Sequence, residues 1–136
     1  MFGQMTNRAK AYSDVGVQTS VMTADPHKLI LMLFDGALQA IGTAAVALAA
    51  KDIPTKGSSI SKAIEIIANG LGVSLDVEAG GKLAEQLAAL YEYMIDRLLY
   101  ANLHNSRPAL DEVAGLLREL RDAWNEIGSS VETTTA

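Results

Sequence analysis

The chain has 136 residues, no cysteine, and 11 Lys+Arg against 16 Asp+Glu, for a net charge of −5. That length makes one domain, burying roughly two-thirds of its unfolded surface. The missing cysteine excludes disulfides, cysteine-based zinc sites and thiol catalysis. The acidic balance disfavours nucleic acid as a partner, because a duplex-binding face concentrates basic side chains. Hydrophobic residues make up 49% but aromatics only 5%, and there are 3 prolines. Alanine and aliphatic side chains therefore carry the apolar content, which is the composition of an all-α chain.

Residues 1–24 hold no sustained apolar period and read as an N-terminal arm, with a short helical stretch near Ala9 to Ser13. The start, Met1 to Lys10, is mixed polar, unlike an export leader. The longest uncharged run, Gly36 to Ala50, is 15 residues, short of the ~20 that a membrane-spanning helix needs. The expectation is a cytoplasmic protein without membrane insertion.

Helix one opens on Asp25 as N-cap with Pro26 at the first helical position. Its apolar seam is Ile30, Phe34, Ala37, Ile41, Ala44 and Leu48, spaced 4-3-4-3-4. Asp52-Ile53-Pro54 reads as its stop. Helix two, from about Thr55 to Leu75, carries Ile60, Ile64, Ile67, Leu71 and Leu75, and Gly80-Gly81 marks the break after it. Helix three, from about Lys82 to Asn105, carries Leu83, Leu87, Leu90, Met94, Leu98 and Ala101. Asn105-Ser106-Arg107-Pro108 ends it and starts helix four, with Leu110, Val113, Leu117, Leu120, Trp124 and Ile127 on the seam. Gly128 and Ser129-Ser130 read as the close, leaving 129–136 as a disordered tail. Short connections make consecutive helices antiparallel neighbours. The predicted architecture is an antiparallel, up-down-up-down four-helix bundle over residues 25–128.

Tests for reactive chemistry fail. His27 and His104 lie near opposite ends of different helices, and neither has a Glu three residues before it, as a di-iron bundle requires. Asp76 to Gly81 opens like a calcium loop, but its twelfth position is Leu87 where a bidentate Glu is needed. Gly80-Gly81-Lys82 lacks the first glycine and the Ser/Thr of a P-loop. His27 has no acid or nucleophile partner in sequence and reads as a first-turn residue making a local hydrogen bond. Carboxylates are spread over helix faces and form weak pairs such as Arg118 with Asp122. No catalytic residue, metal site or cofactor is expected.

Apolar surface is present in excess. Beside the seam of helix two runs a second line, Ala63, Ile66, Gly70, Val73 and Val77. Helix three repeats this with Ala84, Ala88, Tyr91, Ile95 and Leu99. Helix one adds Leu29, Met32, Leu33 and Leu38 outside its seam. Contiguous exposed apolar area marks a binding site, whereas a wide buried face would only broaden the core. Small residues flanked by aliphatic walls suit an amphipathic partner segment. The candidate groove residues are therefore Ala63, Ile66, Gly70, Val73, Ala84, Tyr91, Ile95 and Leu99.

Ala24-Asp25-Pro26-His27-Lys28-Leu29-Ile30, continuing through Met32-Leu33-Phe34-Asp35-Gly36-Ala37, resembles the first-helix signature of the flagellar secretion chaperone FliS family. Ile60-Ser61-Lys62-Ala63, Leu90-Tyr91-Glu92-Tyr93-Met94 and Leu120-Arg121 with Ala123-Trp124 resemble its later helices. The resemblance extends from about Ala11-Tyr12 to Ile127. It implies a cytosolic helical bundle, without enzymatic activity or cofactor, that binds the disordered C-terminal segment of flagellin. The bound segment wraps along apolar grooves, is kept from polymerising early and is delivered to the flagellar type III export machinery. The resemblance also implies that the arm covers part of the groove in the unloaded protein and that Tyr12 serves the export-gate interaction. Further flagellar regulators as partners and a homodimer in the unloaded state stay open. Two other readings also stay open at the level of residues: an adaptor bundle that self-associates through the same stripes, and phosphotransfer through His27.

Overall fold

The computed structural model describes residues 25–135, and the arm with Tyr12 lies outside the described residues. Four helices follow one another: α1 (Pro26–Ala49), α2 (Ile53–Ile66), α3 (Val77–His104) and α4 (Arg107–Thr135). No strand occurs among the described residues. A π-helix, Ile67–Gly72, continues α2 without a break.

Local chemistry starts each helix. Asp25, Asp52 and Asp76 each accept a hydrogen bond from the backbone N–H three residues on, at Lys28 (2.8 Å), Thr55 (3.2 Å) and Ala79 (3.1 Å). Ser106 does the same for Ala109 at 3.2 Å. Each satisfies an amide that the helix cannot reach by itself. Asp52-Ile53-Pro54, expected as the stop of helix one, is thus the start of α2, with Pro54 in its first turn. The stop is supplied by Lys51, which adopts a left-handed φ of 61°. The Asp52 and Lys51 amides then turn back onto Ala47 and Leu48 oxygens at 2.8 and 3.1 Å, the two bonds of a Schellman close. Asn105 closes α3 in the same left-handed region, φ 51°, with the Ser106 amide on the Ala101 oxygen at 3.0 Å.

The break expected at Gly80-Gly81 is present at Gly81. Its φ of 58° and ψ of −135° interrupt the helical backbone, and only glycine takes that conformation without strain. One turn, Val77 to Gly80, precedes the break, and the long run of α3 begins at Lys82. The close expected at Gly128 is not a break: α4 continues to Thr135.

Cross-chain contacts fix the antiparallel order. Leu33 of α1 lies against Gly70 and Gly36 against Ile66. His27 reaches Trp124, and Asp35 reaches Arg121. Arg97 of α3 reaches Glu112 of α4. α1 therefore packs along α2 and α4, and α3 closes the ring between α4 and α2. The core contains Phe34, Ile41, Ile60, Ile67, Leu71, Met94, Leu98, Leu110, Val113 and Leu117. The predicted seams of helices one and two match this core, and that of helix four matches it as far as Trp124, beyond which Ile127 stands 54% exposed. On α3 the buried line is Ala84, Tyr91, Met94, Leu98 and Ala101, while Leu83 stands 65% exposed. That line is offset by one residue from the predicted seam at its N-terminal end. α1 is the one helix among the described residues long and apolar enough to cross a membrane by length and composition. Seven of its residues, Phe34 and six alanine or isoleucine positions, are buried against the other helices.

Candidate functional site

An apolar depression lies at the end of the bundle where α1 starts, the α2–α3 turn passes and α4 approaches its C-terminal half. An open groove of about 860 Å³ is lined by Pro26, His27, Leu29, Ile30, Met32, Leu33, Ser74 and Trp124. Beside it lies a cavity of about 280 Å³, lined by Phe34, Leu71, Leu75, Leu83, Leu87, Tyr91, Leu120 and Ile127 among others. Ile30, Ser74 and Trp124 line both. The two hollows are therefore adjacent compartments of one apolar depression.

The first turn of α1 builds one wall. Asp25 and Pro26 fix where the helix begins, so Leu29, Met32 and Leu33 project outside the seam that Ile30 and Phe34 bury. Opposite stands Trp124, whose indole N–H donates to the His27 carbonyl at 2.9 Å. The His27 Nε2–H donates to the Trp124 carbonyl at 2.5 Å. The two rings stack with centroids 4.8 Å apart and planes 9° from parallel. His27 thus bonds across 97 residues and not within its own turn, which corrects the local hydrogen bond expected from sequence. Trp124 is half-buried.

The floor comes from the end of α2. Leu71 is buried in the π-helix, and Ser74 Oγ–H donates to the Gly70 carbonyl at 2.6 Å, turning the chain at the lip of the groove. From α3, Leu83, Leu87 and Tyr91 face the smaller cavity. Burial pushes the Tyr91 hydroxyl pKa up, in keeping with an apolar setting.

The eight groove residues expected from sequence are not brought together. Ala63 and Ala84 are core residues with almost no exposed surface. Ile66 and Gly70 turn toward α1: Ile66 Cδ1 lies 3.4 Å from where a Gly36 Cβ would sit, and Leu33 Cδ2 lies 3.0 Å from a Cβ built on Gly70. The small-residue line of helix two is spent on close approach of two helices, so α1 already fills the space read as a groove. Ile95 is half-buried and packed on the core. Tyr91 alone of the eight lines the cavity. Val73 is 70% exposed in the turn beside it. Leu99, 53% exposed, lies two turns beyond Tyr91 toward the far end of α3. The wall residues that sequence reasoning did not select, Leu29, Met32 and Leu33, carried a signal, since they stood outside the seam of helix one.

A separate polar cluster joins α3 to α4. Glu112 receives the Tyr93 hydroxyl and the Arg97 Nε–H, the latter at 2.8 Å. These two donors hold the Glu112 carboxyl below the usual carboxylate range, the Tyr93 bond first. On the α1–α4 side, Arg121 Nε–H donates to Asp35 at 2.8 Å. Arg121 also lies 3.6 Å from Asp122, a pairing different from the expected Arg118 with Asp122. Among the described residues, no group of three or more His, Asp or Glu side chains could hold a metal ion.

An acyl- or phosphoryl-transfer site would converge polar groups on one point. This depression converges apolar side chains instead, and its polar side chains, His27, Ser74 and Trp124, are each hydrogen-bonded to backbone carbonyls. The family profile described as flagellar protein FliS matches residues 8–131. A protein of Salmonella typhimurium named flagellar secretion chaperone FliS is 52% identical over 118 residues, covering 87% of each chain. Its namesake in Escherichia coli is 48% identical over 117 residues, 86% of each chain. The Bacillus subtilis protein of the same name is 37% identical over 109 residues, 80% of each chain. Their names describe chaperones and not enzymes. With a profile match across most of its length and several relatives of this identity, the chain belongs to the FliS family.

Proposed function

We propose that the protein is a cytoplasmic export chaperone that holds the disordered C-terminal segment of flagellin. It keeps that segment from polymerising early and assists its delivery to the flagellar type III secretion apparatus. The observation that carries this reading is the apolar depression between α1, the α2–α3 turn and α4. Its 860 Å³ groove and 280 Å³ cavity are the scale of a seat for a helical turn and its anchor side chains. Sequestering an unfolded segment means ordering it, at about 1–2 kcal/mol per residue fixed. Burial of aliphatic side chains in a preformed apolar seat offsets that cost at about 25 cal/mol per Å². Met32, Val73 and Leu83 supply such surface without unfolding the bundle.

Residues 1–24, with Tyr12, carry the arm and export-gate roles of this reading. Calorimetric titration of the full chain with a synthetic flagellin C-terminal segment tests the central claim. The expected outcome is one-to-one binding with a negative heat-capacity change. Absence of binding, together with self-association measured by light scattering, would favour an adaptor bundle in its place.

A further inference from the structure

His27, Trp124 and Gly128 form a three-part lock between α1 and α4. Trp124 gives its indole N–H to the His27 carbonyl at 2.9 Å and receives the His27 Nε2–H on its own carbonyl at 2.5 Å. The stacked rings, 4.8 Å between centroids, leave neither side chain free to rotate alone. Gly128 sits directly beneath the imidazole: a Cβ built there would overlap three atoms of the ring. The glycine that reads in sequence as a helix stop lies inside a continuous helix. An interior glycine costs a helix about 1 kcal/mol relative to alanine. Its position under the ring gives that cost a counterpart, because no other residue lets the imidazole lie so close to α4.

The lock stands at one particular place. Trp124 lines both the outer groove and the inner cavity, and the imidazole lines the groove. We infer that His27 and Gly128 are positioning residues that hold the Trp124 indole as the partition between two compartments of the binding depression. The partition determines which partner segment fits. With the indole held, a bound segment meets a shallow outer seat and an inner one of about 280 Å³, large enough for one or two bulky side chains. With the indole free, only Ile30 and Ser74 stand between the compartments, and the defined spacing between the two seats is lost. This rests on the flagellin-binding reading above and adds the element that sets its selectivity.

Trp124 is the chain's one tryptophan, so its emission reports the lock directly. Gly128→Ala places a methyl under the imidazole and displaces it, while alanine favours the helix. His27→Ala removes the ring and its hydrogen bond by another route. His27→Gln can still donate to the Trp124 carbonyl and is the conservative rescue. Three quantities are read on the full chain: emission maximum with acrylamide quenching, melting temperature, and calorimetric affinity for the flagellin C-terminal segment.

Both unlocking variants should show a red-shifted, more quenchable Trp124 and at least tenfold weaker binding. Gly128→Ala should melt close to the parent, because the helix gain of alanine offsets the lost His27–Trp124 contacts, and His27→Gln should recover most of the affinity. An unlocked Trp124 with parental affinity in either variant would overturn the inference and leave the flagellin reading standing. So would unchanged emission in both variants. Weaker binding that tracks only a lowered melting temperature would overturn it as well, reducing the lock to a stabilising contact. A parent protein that does not bind the segment would overturn the flagellin reading, and this inference with it.

Discussion

Gly70 tests what the small residues on helix two do. From sequence it belonged to the candidate groove along the second apolar line of helix two. In the structure, the space above Gly70 holds the Leu33 side chain, with Cδ2 and Cδ1 at 3.0 and 3.3 Å from a built Cβ. A methyl alone would move the flexible end of Leu33 slightly. A leucine would have to displace it, and overpacking of that kind costs about 1–3 kcal/mol. Gly70→Leu is expected to lower the melting temperature measured by circular dichroism. An unchanged or raised melting temperature would return Gly70 to an open surface. Lys56 teaches a related lesson. It is a buried lysine, 4% exposed, whose ammonium donates to the Asn102 carbonyl at 2.9 Å and to the Asn105 side chain. It caps the end of α3 from α2. Nothing in the local sequence separates it from a solvated lysine, because its partners are about 50 residues away.

Among the elements, the pairing of α3 with α4 has a built-in acid sensitivity. Glu112 is held below the usual carboxylate range by the Tyr93 hydroxyl and the Arg97 guanidinium. A carboxyl depressed on folding contributes stability that is present above its unfolded value, about 4.3, and lost as pH falls through the folded value. The Glu112 side chain is 37% exposed, so the effect is screened and modest. Melting temperature should fall as pH drops below about 5, and Glu112→Gln should shrink that fall. A variant with the parent's full pH dependence would assign the acid lability to other carboxylates. Helix order, the Asp25 cap and the seams of α1, α2 and most of α4 were legible in the sequence because each depends on residues within one or two turns, whereas Asp52 read as a stop and not as a cap. The seam of α3 slipped because Ala84 and Tyr91 look less apolar than Leu83 and Leu90, yet small and aromatic side chains face the core there. The π-helix left a trace: the buried spacing Ala63, Ile67 and Leu71 is wider than 3.6 residues per turn, and a π turn keeps such a line in register.

For the whole molecule, the depression occupies one end, formed from the start of α1, the end of α2, the start of α3 and the later part of α4. Its parts are about 100 residues apart in the chain at His27 and Trp124, so periodicity along a single helix could reveal excess apolar surface but not which of it lines a shared hollow. This placement predicts a gradient of binding effects along α3. Leu83 is 65% exposed and borders the inner cavity, where a partner side chain would be fully desolvated. Leu99 and Leu103 are 53% and 78% exposed, further along the same helix, away from both hollows. Binding energy concentrates where contacts are enclosed, and open rim contacts contribute little. Leu83→Glu should therefore weaken flagellin-segment binding by at least tenfold, about 1.4 kcal/mol. Leu99→Glu should weaken it by no more than about threefold, because a wrapped segment touching that face gains little from an open surface. Both side chains are exposed, so neither change should move the melting temperature appreciably. Calorimetric titration of the two variants beside the parent reads the gradient. Equal losses would spread the interaction evenly over α3, and a larger loss at Leu99 would place the main seat at the opposite end of the bundle.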